Sequence, residues 1–282
     1  MLNTVKLAGI LVVIGCSFGA GPVWAQCVEG TTDGLGRTPV TCDTANDTDG
    51  YAAAVDAVDV VVAAGFDVAH GAATEAILLR EDSTVVNDGT ITATADDTQG
   101  VEAGNNATVT NQGGGRIQGG GGIDGAAILF SGDDATANNI VNNSGTGEIT
   151  TSGTGTVAIQ GSVGNETITL SDTSTLTGDI ILGGGDDIVT IQDDATATGN
   201  VNLGDGTDSF TLDAATYAGA LTGGAGTNTI SIQNQATFSG AYTGGVDADI
   251  FVISSDSASS GLLNLGDGEN RVTVAGGNAT TL

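Results

Sequence analysis

Six positions in this 282-residue chain carry acids or amides at a nearly fixed interval. They are Glu166, Asp187, Asp208, Asn228, Asp249 and Asn270, in steps of 21, 21, 20, 21 and 21 residues. Asp186, Asp193, Asp194 and Asp205 crowd the same stretch. Oxygen donors repeated in this way suit two kinds of chemistry. They can hold a hard cation such as Ca²⁺, or they can pair as acid and base in glycoside cleavage. Stacked at the ~4.8 Å spacing of neighbouring strands, ionised Glu166, Asp187 and Asp208 repel by ~0.9 kcal/mol per pair in water, and several-fold more if partly buried. A cation relieves that repulsion, and so do hydration and splaying. Asn228 and Asn270 already interrupt the column. The candidate calcium ligands are Glu166, Asp186, Asp187, Asp205, Asp208 and Asp249, set against a plain ladder of turn residues.

Enzymatic use of these acids is not expected. They recur at turn positions, which solubility alone would produce. The basic residues that an anionic sugar would need are only Arg37, Arg80, Arg116, Arg271 and the single His70, once Lys6 is set aside with the N-terminal segment. His70, beside Gly71, reads as a surface residue. No Ser/His/Asp set, zinc site or phosphate loop is present. A net charge of −29 excludes nucleic acid, whose recognition rests on Lys and Arg meeting phosphates. It equally disfavours anionic membrane surfaces.

The elements that position the acids are short strands. Apolar pairs lie two and four places after each acid or amide: Ile168/Leu170, Val189/Ile191, Phe210/Leu212, Ile230/Ile232, Phe251/Ile253 and Val272/Val274. Two glycine columns share the period, at Gly178, Gly199, Gly219, Gly240 and Gly261 and at Gly183, Gly204, Gly224, Gly245 and Gly266. Alternation bounded by glycine indicates half-buried strands, and no helical spacing occurs. Two strands fit each repeat, one after the acid column and one around the Gly178-type position. Around that glycine the inward positions read Leu176/Leu182 and Ala197/Leu203, but Tyr217/Gly223 and Phe238/Gly244. Large residues at the first position accompany glycine at the last, the volume-conserving exchange of one shared interior layer. The expected fold is all-β: a right-handed parallel β-helix, or β-solenoid, of about 21 residues per coil in the C-terminal half.

Taken in order, residues 1–25 read as a secretory signal: Lys6, an apolar run over 7–14, and Val23-Trp24-Ala25 before the cleavage point. Val13-Ile14-Gly15-Cys16 also fits a lipobox, which would make Cys16 a lipidated terminus. Both readings export the protein, to the cell surface or the medium. Cys27 and Cys42 are then an even pair in an oxidising compartment. A bridge between them closes a 15-residue loop, worth roughly 3 kcal/mol on the chain-entropy model. Residues 26–65 read as an N-terminal cap holding that loop, 66–160 as looser coils with spacings of about 24 to 32 residues, and 161–282 as the regular repeat. The insertion at 113–122 is expected to bulge as a loop, where binding tends to reside. The sequence ends where another coil would continue, so truncation or an anchoring partner is expected. Of the outward positions weighed for a threonine face, Thr190, Thr211, Ser231, Val252 and Thr273 lie beside Ile188, Ser209, Thr229, Ile250 and Arg271. No regular two-column face emerges there.

Several of these features together resemble the passenger domain of a Gram-negative autotransporter, of the pertactin-like or AIDA-like β-solenoid kind. They are the signal, the Cys27…Cys42 loop, the Val-x-Asn-x-Gly-x-Ile strands such as 85–91, and the run Leu-Gly-Asp-Gly-Thr-Asp-Ser-Phe-Thr-Leu at 203–212. The resemblance implies display at the outer membrane and non-enzymatic adhesion to a host protein, matrix protein or glycan. It departs from the family in showing no C-terminal barrel strands. The glycine-acid turns also resemble the calcium-binding nonapeptide of RTX toxins. Residues 223–230 keep the glycines but place Asn228 where the motif has Asp, and the motif occurs once per 21 residues instead of every nine. That weaker resemblance implies the alternative, a secreted, calcium-stabilised β-roll.

Overall fold

The computed structural model describes residues 27–43, 50–71, 75–152, 157–254 and 256–276. The signal segment and Cys16 lie outside them. The described chain is built from strands without helix, arranged in three long sheets of twelve, nine and ten strands. One turn of the chain visits the first, second and third sheet in order. The coil from Asn165–Leu170 through Thr175–Thr177 to Asp179–Gly184 is typical. Each strand pairs in parallel with its counterparts one coil before and after, as Ile168 does with Val141 and Val189. This is a parallel β-solenoid, as the repeat requires.

Each coil holds three strands and not the two read from the sequence. The segment around Gly178 is not one strand, because the chain turns a corner there, at a backbone φ of 128°. Thr175–Thr177 joins the second sheet and Asp179–Gly184 the third. The inward positions expected from the sequence hold as far as Ile253, because a corner that keeps the alternation does not change which side chains face the core; in the last described coil Val272 and Val274 are exposed. Ile168, Leu170, Leu176, Ile180 and Leu182 are all buried. Where Leu182 and Leu203 give way to Gly223 and Gly244, the freed space is taken by rings. Tyr217 stacks 5.8 Å from Phe238, and Tyr242 lies 5.5 Å from Phe251. A side chain at Gly223 would meet the Tyr242 hydroxyl.

The looser N-terminal coils belong to the same three sheets, so the solenoid is continuous through residues 66–160. The Val-x-Asn-x-Gly-x-Ile motif forms the corner between the first and second sheets. Val85, Val109 and Val141 enter the core, and the Asn87, Asn111 and Asn143 amides stack beneath them. Asn87 Nδ2 donates to Asn111 Oδ1 at 2.7 Å, and Asn111 Nδ2 to Asn143 Oδ1 at 2.8 Å. From Leu170 onward the same column turns aliphatic, continuing through Ile191 and Leu212.

Within the 26–65 segment, only the beginning is a cap in the strict sense. Val28–Glu29 runs antiparallel to Thr38–Cys42, which already pairs in parallel with Val58–Val62. That short strand covers the edge of the first sheet, where open backbone would otherwise invite pairing. The Cys27–Cys42 disulfide fastens it, with the Cα atoms 4.2 Å apart. Arg37 forks onto the Asp59 carboxylate, whose pKa is lowered by that contact, and also donates to the Asp82 carbonyl at 2.9 Å.

The glycine columns follow from stacking. A Cβ at Gly224 would run into the carbonyl oxygen of Gly204 one coil earlier, and Gly224 also sits at φ +90°. At Gly65 the φ is +82° but nothing stands in the way. Gly65→Ala should therefore cost only the left-handed penalty of ~1–2 kcal/mol. Gly224→Ala adds a backbone collision and should cost ~4 kcal/mol or more. Denaturant midpoints of the two variants test this, and equal losses would contradict it.

Candidate functional site

The acid/amide column does not lie on the surface of the turns. Glu166, Asp187, Asp208, Asn228 and Asp249 are all at most 2% exposed. Asp187, Asp208, Asn228 and Asp249 each stand just before a first-sheet strand, and Glu166 is the second residue of its own, where the chain enters from the third sheet and the inward alternation has begun. There one side-chain oxygen does a backbone's work. Asp187 Oδ1 accepts the Glu166 N–H at 2.6 Å, and Asp208 Oδ1 accepts the Asp187 N–H at 2.9 Å. Asn228 Oδ1, Asp249 Oδ1 and Asn270 Oδ1 continue the pattern at 3.1, 3.0 and 2.7 Å. Upstream, Glu166 Oε1 accepts from Asn139 Nδ2 at 2.9 Å and from Ser162 Oγ at 2.7 Å.

The second oxygen of each acid is stranded. Glu166 Oε2, Asp187 Oδ2, Asp208 Oδ2 and Asp249 Oδ2 are buried without a hydrogen-bond partner. The amides avoid this problem, since Asn228 Nδ2 reaches the Gly226 carbonyl at 3.3 Å. Burial accordingly pushes Glu166, Asp187 and Asp208 toward their neutral form. Asp187, desolvated and flanked by Glu166 and Asp208, is pushed up to about 8. Asp208 is pushed up to about 6, again chiefly by burial. Glu166 is also raised by burial, with Asn139 and Ser162 opposing the shift.

The six candidate calcium ligands fall into two sets. Glu166, Asp187, Asp208 and Asp249 face the interior, whereas Asp186 and Asp205 are exposed on the outside of the turn. Asp186 Oδ1 accepts the Thr207 N–H at 2.8 Å, in an outer ladder parallel to the inner one. A Ca²⁺ cage needs about six to eight oxygens around one point. These six residues do not converge, and among the described residues no group of three or more His, Cys, Asp or Glu side chains does. Of the repeat glycines, the Gly178 column sits at the corner between the second and third sheets, whereas Gly183 and Gly204 lie in the third-sheet strands and pair with each other.

The stretch 113–122 is not one bulging loop as expected: Arg116–Gly119 is a strand of the second sheet whose Ile117 is buried between Ile91 and Ile149, and the loop comes after it. Residues 119–125 fold over the outer face of the third sheet and border a cleft of about 280 Å³. Ile123 forms its rim at 90% exposure, while Leu129 and Val157 form the floor and Gln99 and Gln160 the sides. Gln99 Nε2 anchors the loop by donating to the Asp124 carbonyl at 2.7 Å. Its lining could not be read from the sequence, because it joins residues from three successive coils. No protein-family model, curated protein or solved structure matches this chain.

The acid column makes stability depend on pH with an unusual sign. Between the unfolded carboxylate value of about 4 and the folded values, the native state holds more protons than the unfolded chain. Stability therefore falls as pH rises, by up to ~1.4 kcal/mol per pH unit for each proton involved. For Asp208 the loss runs from about pH 4 to about 6, and for Asp187 it continues to about 8. Asp187→Asn keeps the acceptor for Glu166 N–H and removes the titration. It should raise the melting temperature at pH 8 and leave it nearly unchanged at pH 4. A variant melting lower than the parent at pH 8 would refute the assignment.

Proposed function

We propose that the chain is a non-enzymatic, exported β-solenoid that holds a binding loop away from the cell surface, as the passenger domain of an adhesin does. The observation that carries this reading is a rigid, continuous stack with one anchored loop and an apolar-floored cleft on its side. Loops mounted on stiff scaffolds are where binding concentrates. The partner class that fits is a protein or glycan of the host or matrix, met by Ile123 and the Gln160 side chain. The carboxylates with raised proton affinity, Glu166, Asp187 and Asp208, are sealed in the core, which weighs against acid/base catalysis. The charge of −29 favours a partner that is not anionic.

A calcium-stabilised roll is the second reading, favoured by the four stranded carboxylate oxygens and weakened by the division of the six acids between core and surface. Melting at pH 7 with Ca²⁺ or with EDTA separates the two, since only the roll gains stability from the ion.

The adhesion reading is tested by binding the purified chain to arrays of matrix proteins and glycans. Ile123→Asp, at an exposed site, should leave the fold intact and lower binding about tenfold, equivalent to ~1.4 kcal/mol. Absence of binding to every array member, or full binding by the variant, would overturn the cleft as the contact site.

A further inference from the structure

The three-strand coil exposes a surface that the two-strand reading concealed. The second sheet presents Thr175-Leu176-Thr177, Thr196-Ala197-Thr198, Thr216-Tyr217-Ala218 and Thr237-Phe238-Ser239 in successive coils. The central residue of each triplet is buried and the outer two are exposed. Thr175, Thr196, Thr216 and Thr237 stand in register as one column that ends at Ala258, and Thr177 and Thr198 begin a second that passes through Ala218 to Ser239. The columns repeat every ~4.8 Å along the axis and lie about 6.7 Å apart along the strand.

Three properties of this face narrow its partner. First, in a chain with 34 acids these eight positions carry no charge, although Asp172, Asp193 and Asp194 lie in the turns before them and Asp179 opens the next strand. The charges nearest along the first column, Arg116 and Glu148, are paired with each other at 3.2 Å. Second, the face lacks the aromatic and arginine anchors that dominate protein interfaces. Third, threonine is stiff about χ1, and these residues stand on a packed floor that includes the Tyr217–Phe238 stack. Hydroxyls and methyls are thus fixed in a two-dimensional grid before any partner arrives, so ordering costs on binding are small.

We infer that this face binds the ordered water lattice of ice. Ice is an uncharged partner with its own two-dimensional repeat of hydrogen-bonding oxygens, and a rigid grid of hydroxyls can join such a surface at many points at once. Each contact is weak, and the periodicity makes them additive. The contact is independent of the loop cleft, which lies over the third sheet, so either site can operate without the other.

The test is to grow an ice hemisphere slowly from a solution of the purified chain and compare protein in the ice with protein left in the liquid. Ice recrystallisation is followed in parallel. The chain should be enriched in the ice and should slow crystal coarsening. Thr196→Lys with Thr216→Lys should abolish both effects while the circular dichroism melt stays unchanged. Thr190→Lys with Thr211→Lys, on the outer face of the first sheet, should retain them. Exclusion of the folded parent from ice would overturn the inference, as would equal loss in both pairs of variants. Retention on crystalline cellulose or chitin without enrichment in ice would overturn it in favour of a crystalline glycan.

Discussion

In a parallel solenoid every side chain rests on the residue at the same position one coil away, ~4.8 Å along the axis. A position therefore survives only if its residue tolerates a copy of itself as a neighbour, and the rest of this structure depends on that constraint. Aliphatic columns meet it by packing. The Asn87, Asn111 and Asn143 column meets it because an amide is both donor and acceptor, so each bonds the next. Glycine meets it by absence: at the corners the backbones approach so closely that a Cβ at Gly224, Gly245 or Gly266 would strike the carbonyl one coil below.

The acids meet the same constraint only in part. A carboxylate can accept the next coil's N–H, which satisfies a backbone donor that the corner would otherwise strand. It cannot donate to a second carboxylate unless it is protonated. The column thus works as a hydrogen-bond ladder for one oxygen of each acid and leaves the other unpaired. Asn228 and Asn270 interrupt the run, and Asn228 shows the less costly solution, with its amide nitrogen turned to Gly226. Retention of acids where asparagine fits equally well means that this half of the solenoid is not at its stability maximum at neutral pH. The opposite sign operates at the N-terminal end, where Arg37 lowers the Asp59 pKa and stability there is lost as pH falls.

The legibility of the sequence follows the same division. Columns that repeat by chemical type were visible as periodicity, so the solenoid, its coil length, its inward apolar set and the Cys27–Cys42 bridge could all be stated before any coordinates. Direction at the corners was not visible. A glycine such as Gly178 interrupts neither hydrophobic alternation nor spacing, yet it bends the chain from one sheet to another, and that bend turns two strands into three. The burial of Asp187 and Asp208 was hidden for a related reason. Acids beside glycine ordinarily signal a solvated turn. Here the inward alternation starts one residue pair earlier than the apolar pair suggests, with the acid as its first member.

Self-stacking also explains why one scaffold can carry contacts of such different kinds. Where a loop is inserted, as at 119–125, the register of three neighbouring coils fixes the floor beneath it, and an irregular cleft gains a rigid base. Where nothing is inserted, the coils present their own repeat to solvent, and any surface they match must be periodic too. The two arrangements exclude each other at one place on the stack, because an insertion destroys the grid it covers. Their separation follows from this. The loops crowd the coils before residue 160, and the second sheet bears its threonine column, Thr175 to Thr237, where each coil settles to 20 or 21 residues.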